Sequence, residues 1–293
     1  MANIPDLIGN TPMVELSSLF PVGKTTLLGK LEGHNPGGSV KDRAAYNMIK
    51  AALDRGDIRR GDKLVEATSG NTGIALAMIA NVFGLEMHLV MPEGATRERI
   101  ETMKAFGAKV ILTPREKTIE YSRQVAEEMA ASGYVMLNQF ANEDNWKAHY
   151  LSTGPEIWRD TEGQVTHFVA SMGTTGTIMG VSKYLKTQNP NIQIIGVQPV
   201  EGSNIPGIRR WSPEYLPAIY QPEWVDTIVD VSQEEATYTM KRLAREAAVF
   251  AGVSSGGAVT AAGRIMQNIT QPAVMVAIIC DRGDRYLSEG LFS

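Results

Sequence analysis

Apolar positions along this chain fall into two alternating rhythms. Short apolar runs bounded by glycine, proline or polar residues predict buried strands over residues 63–67, 86–91, 109–112, 134–136, 166–170, 192–197 and 273–279. Between them the spacing turns helical. Ala45, Met48, Ile49, Ala52 and Leu53 repeat on one face just after Lys41, and further helices are predicted over 74–83, 96–107, 119–131, 145–158, 176–186, 233–250 and 256–267. Gly84, Gly107 and Gly133 stand where helices should stop, and Thr96 where one should be capped. Gly154-Pro155 should kink or split the helix that contains it. Two short strands, within 8–16 and over 27–32, open the chain, and 252–257 reads as a turn between the last two helices. Strands alternating with helices predict mainly parallel sheets covered on both faces, in two α/β lobes that meet near residues 139–142. Residues 201–226 are rich in proline, glycine and aromatics without a period, and are too long for a mere connector, so they form a candidate functional loop.

Composition narrows the partners. A net charge of −4 over 293 residues, with no block of like charge, gives no reason to expect nucleic acid or an anionic membrane. The lone Cys280 excludes an intramolecular disulfide and a cysteine-based metal site. His34, His88, His149 and His167 have no spacing that suits a metal, and His88 and His167 read as strand residues with satisfied rings. No apolar run reaches membrane-span length, and the first residues lack a signal-peptide pattern, so a reducing cytoplasm is the expected home. Gly23-Lys24-Thr25-Thr26 looks like a phosphate-binding loop but fails the spacing, because Ser18 stands where glycine is required and Pro21 interrupts; it reads as a hairpin connection.

Four stretches carry candidate chemistry. Asn35-Pro36-Gly37-Gly38-Ser39-Val40 is poor at regular structure and runs straight into a helix, which puts Lys41 where a tight loop enters it. Most lysines are solvated cations. Here the glycines allow close approach of a ligand, and the apolar helix behind implies burial, which lowers an amine's pKa and suits it to form a Schiff base with an aldehyde cofactor. Ser171-Met172-Gly173-Thr174-Thr175-Gly176-Thr177 follows a strand and opens a helix, aiming backbone amides and the positive helix end at one point, where an anion such as phosphate would sit. Read alone, a plain helix start fits it equally well. Thr68-Ser69-Gly70-Asn71-Thr72 has the same geometry with neutral hydroxyl and amide donors, a set that can surround a carboxylate or merely cap a helix. Ser255, beside glycines at another helix start, reads by itself as an N-cap.

Asn-Pro-x-Gly-Ser-x-Lys-Asp-Arg, at 35–43, resembles the lysine loop of the fold type II pyridoxal-phosphate enzymes. Ser-Val-Lys-Asp-Arg and the opening Ile-Gly-Asn-Thr-Pro resemble the cysteine synthase branch of that family. The resemblance implies a two-lobed, tryptophan synthase β-like α/β fold, with 36–145 as a smaller mobile domain and 1–35 plus 146–293 as the larger cofactor-binding domain. It implies pyridoxal 5'-phosphate as cofactor, with Lys41 as the Schiff-base lysine and Asn71 at the cofactor's phenolic oxygen. Thr174, Thr175, Gly176, Thr177 and Ile178 are implied at the phosphate, and Ser255 at the pyridine nitrogen. Thr68, Ser69, Thr72 and Gln139 are implied at the substrate carboxylate. A neutral hydroxyl at the ring nitrogen makes a weak electron sink, which favours expelling a β-leaving group. The implied reaction is β-replacement on O-acetylserine by sulfide through an α-aminoacrylate, with Lys41 as general base.

Ile205-Pro206-Gly207-Ile208-Arg209-Arg210-Trp211 and Cys280-Asp281-Arg282-Gly283-Asp284-Arg285-Tyr286-Leu287 resemble the B-type cysteine synthases, which also take thiosulfate and yield S-sulfocysteine. Arg209, Arg210 and Arg282 are cations available for that dianion, with Arg210 placed in the substrate site. Cys280 joins it as a donor-site residue, although a lone cysteine is more often a small buried side chain. The resemblance further implies a homodimer without a stable serine acetyltransferase complex. The alternatives are a sulfide-only A-type enzyme, a cystathionine β-synthase-like enzyme, and a non-catalytic amino-acid sensor on the same scaffold.

Overall fold

The computed structural model describes residues 2–21 and 24–292, so Gly23 of the expected hairpin connection lies outside the described residues. In chain order the elements are β1 (Met13–Glu15), β2 (Thr25–Leu31), α1 (Lys41–Arg55), β3 (Lys63–Ala67), α2 (Asn71–Phe83), β4 (Glu86–Pro92) and α3 (Arg97–Ala105). There follow β5 (Lys109–Thr113), α4 (Thr118–Ala131), β6 (Val135–Met136), α5 (Glu143–Ala148), α6 (Gly154–Asp160), β7 (His167–Ser171), α7 (Gly176–Gln188) and β8 (Gln193–Pro199). The chain closes with β9 (Thr227–Val231), α8 (Gln233–Ala247), α9 (Val253–Met266) and β10 (Ala273–Ile279).

The strands form two sheets. One runs β5-β4-β3-β6, all parallel, and the other β1-β2-β10-β7-β8-β9, parallel except for β1. Parallel strands are buried on both faces, which is why β3, β4, β8 and β10 read as near-continuous apolar runs. Separate apolar clusters cover the sheets, Met48, Ile49, Leu76 and Ile79 on the four-stranded one and Phe168, Met179 and Leu185 on the six-stranded one. This is the expected fold type II α/β architecture. Among the described residues no helix is long and apolar enough to cross a membrane, and no cluster of side chains could hold a metal ion.

Several local expectations need correction. The helix through Gly154-Pro155 is split as expected, but the division falls ahead of the proline: α5 ends at Ala148, a π-helical turn, His149–Thr153, joins it to α6, and Pro155 takes a first-turn position of α6 that needs no N–H. The 252–257 stretch is not a turn but the start of α9, with Gly252 as its N-cap. Gly252 and Gly256 serve packing, since a Cβ on Gly252 would lie 2.3 Å from Asp281 Oδ1 and one on Gly256 2.0 Å from the Ala236 carbonyl oxygen of α8. Thr96 occupies the N-cap position of α3, but its hydroxyl makes no capping bond and is buried without a partner. The His88 ring is also not satisfied: Nε2 has no hydrogen-bond partner, lies 3.7 Å from Glu86, and the ring meets Tyr134 edge-on. Burial, with the charge of Lys109, lowers its pKa, so the ring stays neutral. His167 shares a 2.8 Å bond with the Thr166 hydroxyl.

A buried ionic network ties α1 to β2 and α6. Arg43, 1 % exposed, donates to Glu32 at 2.7 and 2.8 Å and to Glu156 at 2.7 and 2.8 Å. Lys30 reaches Glu156 at 2.9 Å, Asp160 at 3.2 Å and the Thr11 carbonyl at 2.7 Å, while Thr11 and Asn35 donate to Glu32. Burial pushes the Glu156 carboxyl up, but the hydrogen bonds and charge of Arg43 outweigh it and hold the group at about 2. The network fixes the first turn of α1, where Lys41 stands.

Candidate active site

Lys41 is the first residue of α1, and its loop is stitched to the end of β10. Val40 N–H donates to the Cys280 carbonyl at 2.8 Å, Ser39 pairs with Asp281 in an antiparallel bridge, and Lys41 N–H donates to the Ser39 hydroxyl at 3.2 Å. Burial lowers the Lys41 pKa, and the negative charges of Asp281 and Glu32 only partly oppose this. Behind it, the Asp42 carboxylate accepts from Gly37 N–H at 2.5 Å, and burial raises its pKa to about 7.

Two cavities share the Lys41 wall. A cleft of about 900 Å³ runs between the two sheets and is bordered by Thr68, Ser69, Asn71, Thr72, Gln139 and the 199–212 loop. A chamber of about 30 Å³ continues past Lys41 to Ser171, Thr177, Ser254 and Cys280. The 201–226 segment, which contains only two short 3-10 turns, thus supplies one wall of the cleft.

The start of α7 fits an anion. Thr175 holds a left-handed backbone, φ +69°, immediately before Gly176, and its hydroxyl is buried with no partner. Asn145 braces the turn, donating to Thr174 Oγ1 at 3.1 Å and to the Gln139 carbonyl at 2.7 Å. A Cβ on Gly176 would lie 2.0 Å from Asn145 Oδ1, so only glycine allows this approach. Thr177 Oγ1 lies 3.3 Å from His149 Nε2, and His149 is kept neutral, at about 3, by burial and then by the charge of Arg43. Ile178 is buried one residue further on. An orphaned hydroxyl among helix-start amides is the setting a phosphate group satisfies.

On the facing wall, Thr72 Oγ1 donates to Gln139 Oε1 at 2.8 Å, which leaves the Gln139 NH₂ as the donor for an incoming acceptor. Asn71 opens α2, and its amide donates to Asp281 at 2.7 Å and accepts from Arg285. Ser255 is the third residue of α9 and therefore no N-cap; it is fully buried, and its Oγ accepts the Cys280 N–H at 2.9 Å. The structure thus gathers Lys41, Asn71, the α7 loop and the Thr68–Thr72 loop around one cleft.

The expected cations divide. Arg210 borders the cleft, but its guanidinium is committed to Asp230 and the Pro199 carbonyl, so it is not an available charge. Arg282 is exposed and bonded to Asp284. Arg209 lines the cleft with its guanidinium 5.6 Å from the Trp211 ring. Cys280 borders the small chamber, and burial together with the charge of Asp281 pushes its thiol up to about 11, so it is a neutral thiol at physiological pH. Sequence reasoning missed Arg99 and Arg123, which border the cleft over the rings of Tyr286 and Phe140. On exposed-looking helices they carry no local signal.

A family model described as pyridoxal-phosphate dependent enzyme matches residues 4–281. Cysteine synthase B of Pseudomonas aeruginosa is 59% identical over 290 residues, covering 99% of this chain and 97% of the relative. Cysteine synthase B of Escherichia coli is 54% identical over 293 residues, covering 100% and 96%. Among solved structures, cysteine synthase of Entamoeba histolytica superimposes with a TM-score of 0.94 at 36% identity, over 100% of this chain and 90% of that one. An O-ureido-L-serine synthase gives 0.94 at 35% identity, over 100% and 95%. Likeness of this extent, over a chain that buries a lysine amine beside a phosphate-shaped helix start, places the protein among the pyridoxal-phosphate dependent enzymes, in the cysteine synthase family.

Proposed function

We propose that this chain carries out β-replacement on O-acetyl-L-serine, in which acetate leaves the β-carbon and sulfide takes its place to give L-cysteine, while thiosulfate in the same role gives S-sulfocysteine. The observation that carries the proposal is the convergence on one cleft of a buried lysine amine, an anion-binding helix start and a wall of neutral donors. Pyridoxal phosphate, when bound, supplies an electron sink for the pair left at the substrate α-carbon. Thr174, Thr175, Gly176 and Thr177 would hold its phosphate, Asn71 its phenolic oxygen and Ser255 its ring nitrogen. Lys41 Nζ, deprotonated more readily because it is buried, takes the proton at the substrate α-carbon. The hydroxyls of Thr68 and Ser69 and the free NH₂ of Gln139, whose amide Thr72 holds in place, orient the substrate carboxylate without adding charge to the cleft. Of Arg209, Arg210 and Arg282, Arg209 is the cation assigned to the dianionic donor, because the other two are held by carboxylates.

The test is a competition: O-acetylserine with equal sulfide and thiosulfate, products identified by mass. A substantial S-sulfocysteine yield is expected. Cysteine alone would remove thiosulfate from the reading, and neither product would overturn the substrate assignment.

Gly176→Ala is expected to lower cofactor affinity by roughly tenfold or more, since its Cβ must displace Asn145 and with it the Thr174 hydroxyl. Equilibrium dialysis against pyridoxal phosphate measures this; unchanged affinity would place the phosphate elsewhere.

A further inference from the structure

The side-chain amide of Asn71 is gripped from both sides by the segment that follows β10. Its Nδ2 donates to Asp281 Oδ2 at 2.7 Å, across 210 positions of the chain, and its Oδ1 accepts from Arg285. A carboxylate only accepts and a guanidinium only donates, so this pair of partners admits one orientation of the amide and rejects its half-turn rotamer. One Nδ2 hydrogen is used on Asp281. Asn71 borders both cavities that Lys41 borders, so its other hydrogen is the donor available to a ligand there.

The grip is itself held firmly. Asp281 is 1 % exposed, and its Oδ2 also accepts from the Tyr286 hydroxyl at 2.6 Å. Its Oδ1 is buried without a hydrogen-bond partner, in space that exists because residue 252 is glycine: a Cβ there would lie 2.3 Å away. Arg285 also donates to the Gly37 carbonyl, and the Asp281 backbone pairs with Ser39. Residues 281 and 285 therefore contact the lysine loop and Asn71 at once.

We propose that Asp281 and Arg285 are positioning residues that lock the Asn71 amide with its N–H donor toward the phenolic oxygen of the cofactor. The inference rests on the assignment of Asn71 to that oxygen. In the rejected rotamer the amide would turn an oxygen toward an oxygen, replacing a hydrogen bond by a repulsion.

A double-mutant cycle on the full chain tests this, read by pyridoxal phosphate affinity in equilibrium dialysis and by the visible absorption of the bound cofactor. Asp281→Ala, which removes the acceptor, and Arg285→Met are each expected to weaken affinity about tenfold and to alter the absorption band. In an Asn71→Ala background the same changes should add less than about twofold, because the group they act through is gone. Equal losses in both backgrounds would overturn the proposal and leave only a structural role. If Asn71→Ala alone alters neither affinity nor spectrum, the assignment of Asn71 fails and the inference falls with it. Should one of these two variants not fold, the other completes the cycle by itself.

Discussion

Lys41→Ala is expected to cut the rate of cysteine formation from O-acetylserine and sulfide by roughly a thousandfold or more while leaving the fold intact. The size follows from the surroundings of the amine. Among the described residues Lys41 is the one lysine that borders either cavity, so no neighbouring amine can take over its proton transfer. Burial lowers its pKa, which at neutral pH raises the fraction able to accept a proton. The fold should survive because the side chain belongs to the cleft and not to the ionic network two residues on, and alanine is a good helix former at the start of α1. Steady-state rates, with thermal unfolding as a control, measure the effect. Partial restoration by a small primary amine added to the variant would show that a mobile base can replace the missing group. A variant that keeps more than about a tenth of the rate would remove Lys41 from its role.

The elements that enclose this site are legible in the sequence because each carries its own local signal. Strands β3, β4, β8 and β10 are apolar runs with turn residues at their ends, and α1 and α2 begin at loops whose glycines can be read directly. Strand β9 carries no such signal. It pairs only with β8 at the sheet edge and is largely exposed, so Thr227 and Asp230 interrupt its apolar residues. The glycines of 252–257 mislead because close packing against α8 and a turn both demand the same residue. Within the site, Lys41 and the α7 loop are legible as strand-to-helix or loop-to-helix transitions. Asp281, Arg285, Arg99 and Arg123 are not, because their partners lie far along the chain and a charged residue's ordinary place is solvent. The same reasoning hides the buried network of Lys30, Glu32, Arg43 and Glu156 completely.

That network gives the largest expected stability effect. Arg43→Met should destabilise the chain by about 3–5 kcal/mol, read from the urea midpoint at neutral pH, because it leaves Glu32 and Glu156 as buried carboxylates without their main partner. Methionine nearly matches the arginine stem in volume, so the loss reports charge and not a cavity. Acid should shrink the deficit. Glu156 is held at about 2 against an ordinary 4.5: its burial alone would raise the value, and the hydrogen bonds and charge of Arg43 more than reverse this. Glu32 is lowered in the same way, its burial again outweighed by Arg43. A carboxylate with a depressed folded pKa stabilises fully above its unfolded value and loses that contribution as pH falls through the folded one, so the wild-type advantage is complete above about pH 4.5 and fades toward about pH 2. In the variant the two carboxyls have no guanidinium to hold them ionised and become neutral at higher pH, which relieves their burial. Adding Glu32→Gln and Glu156→Gln to Arg43→Met should recover much of the loss at neutral pH, since neutral amides do not need the cation. If the triple variant is no more stable than Arg43→Met alone, or if the deficit is the same at neutral pH and near pH 3, uncompensated charge is not what Arg43 relieves.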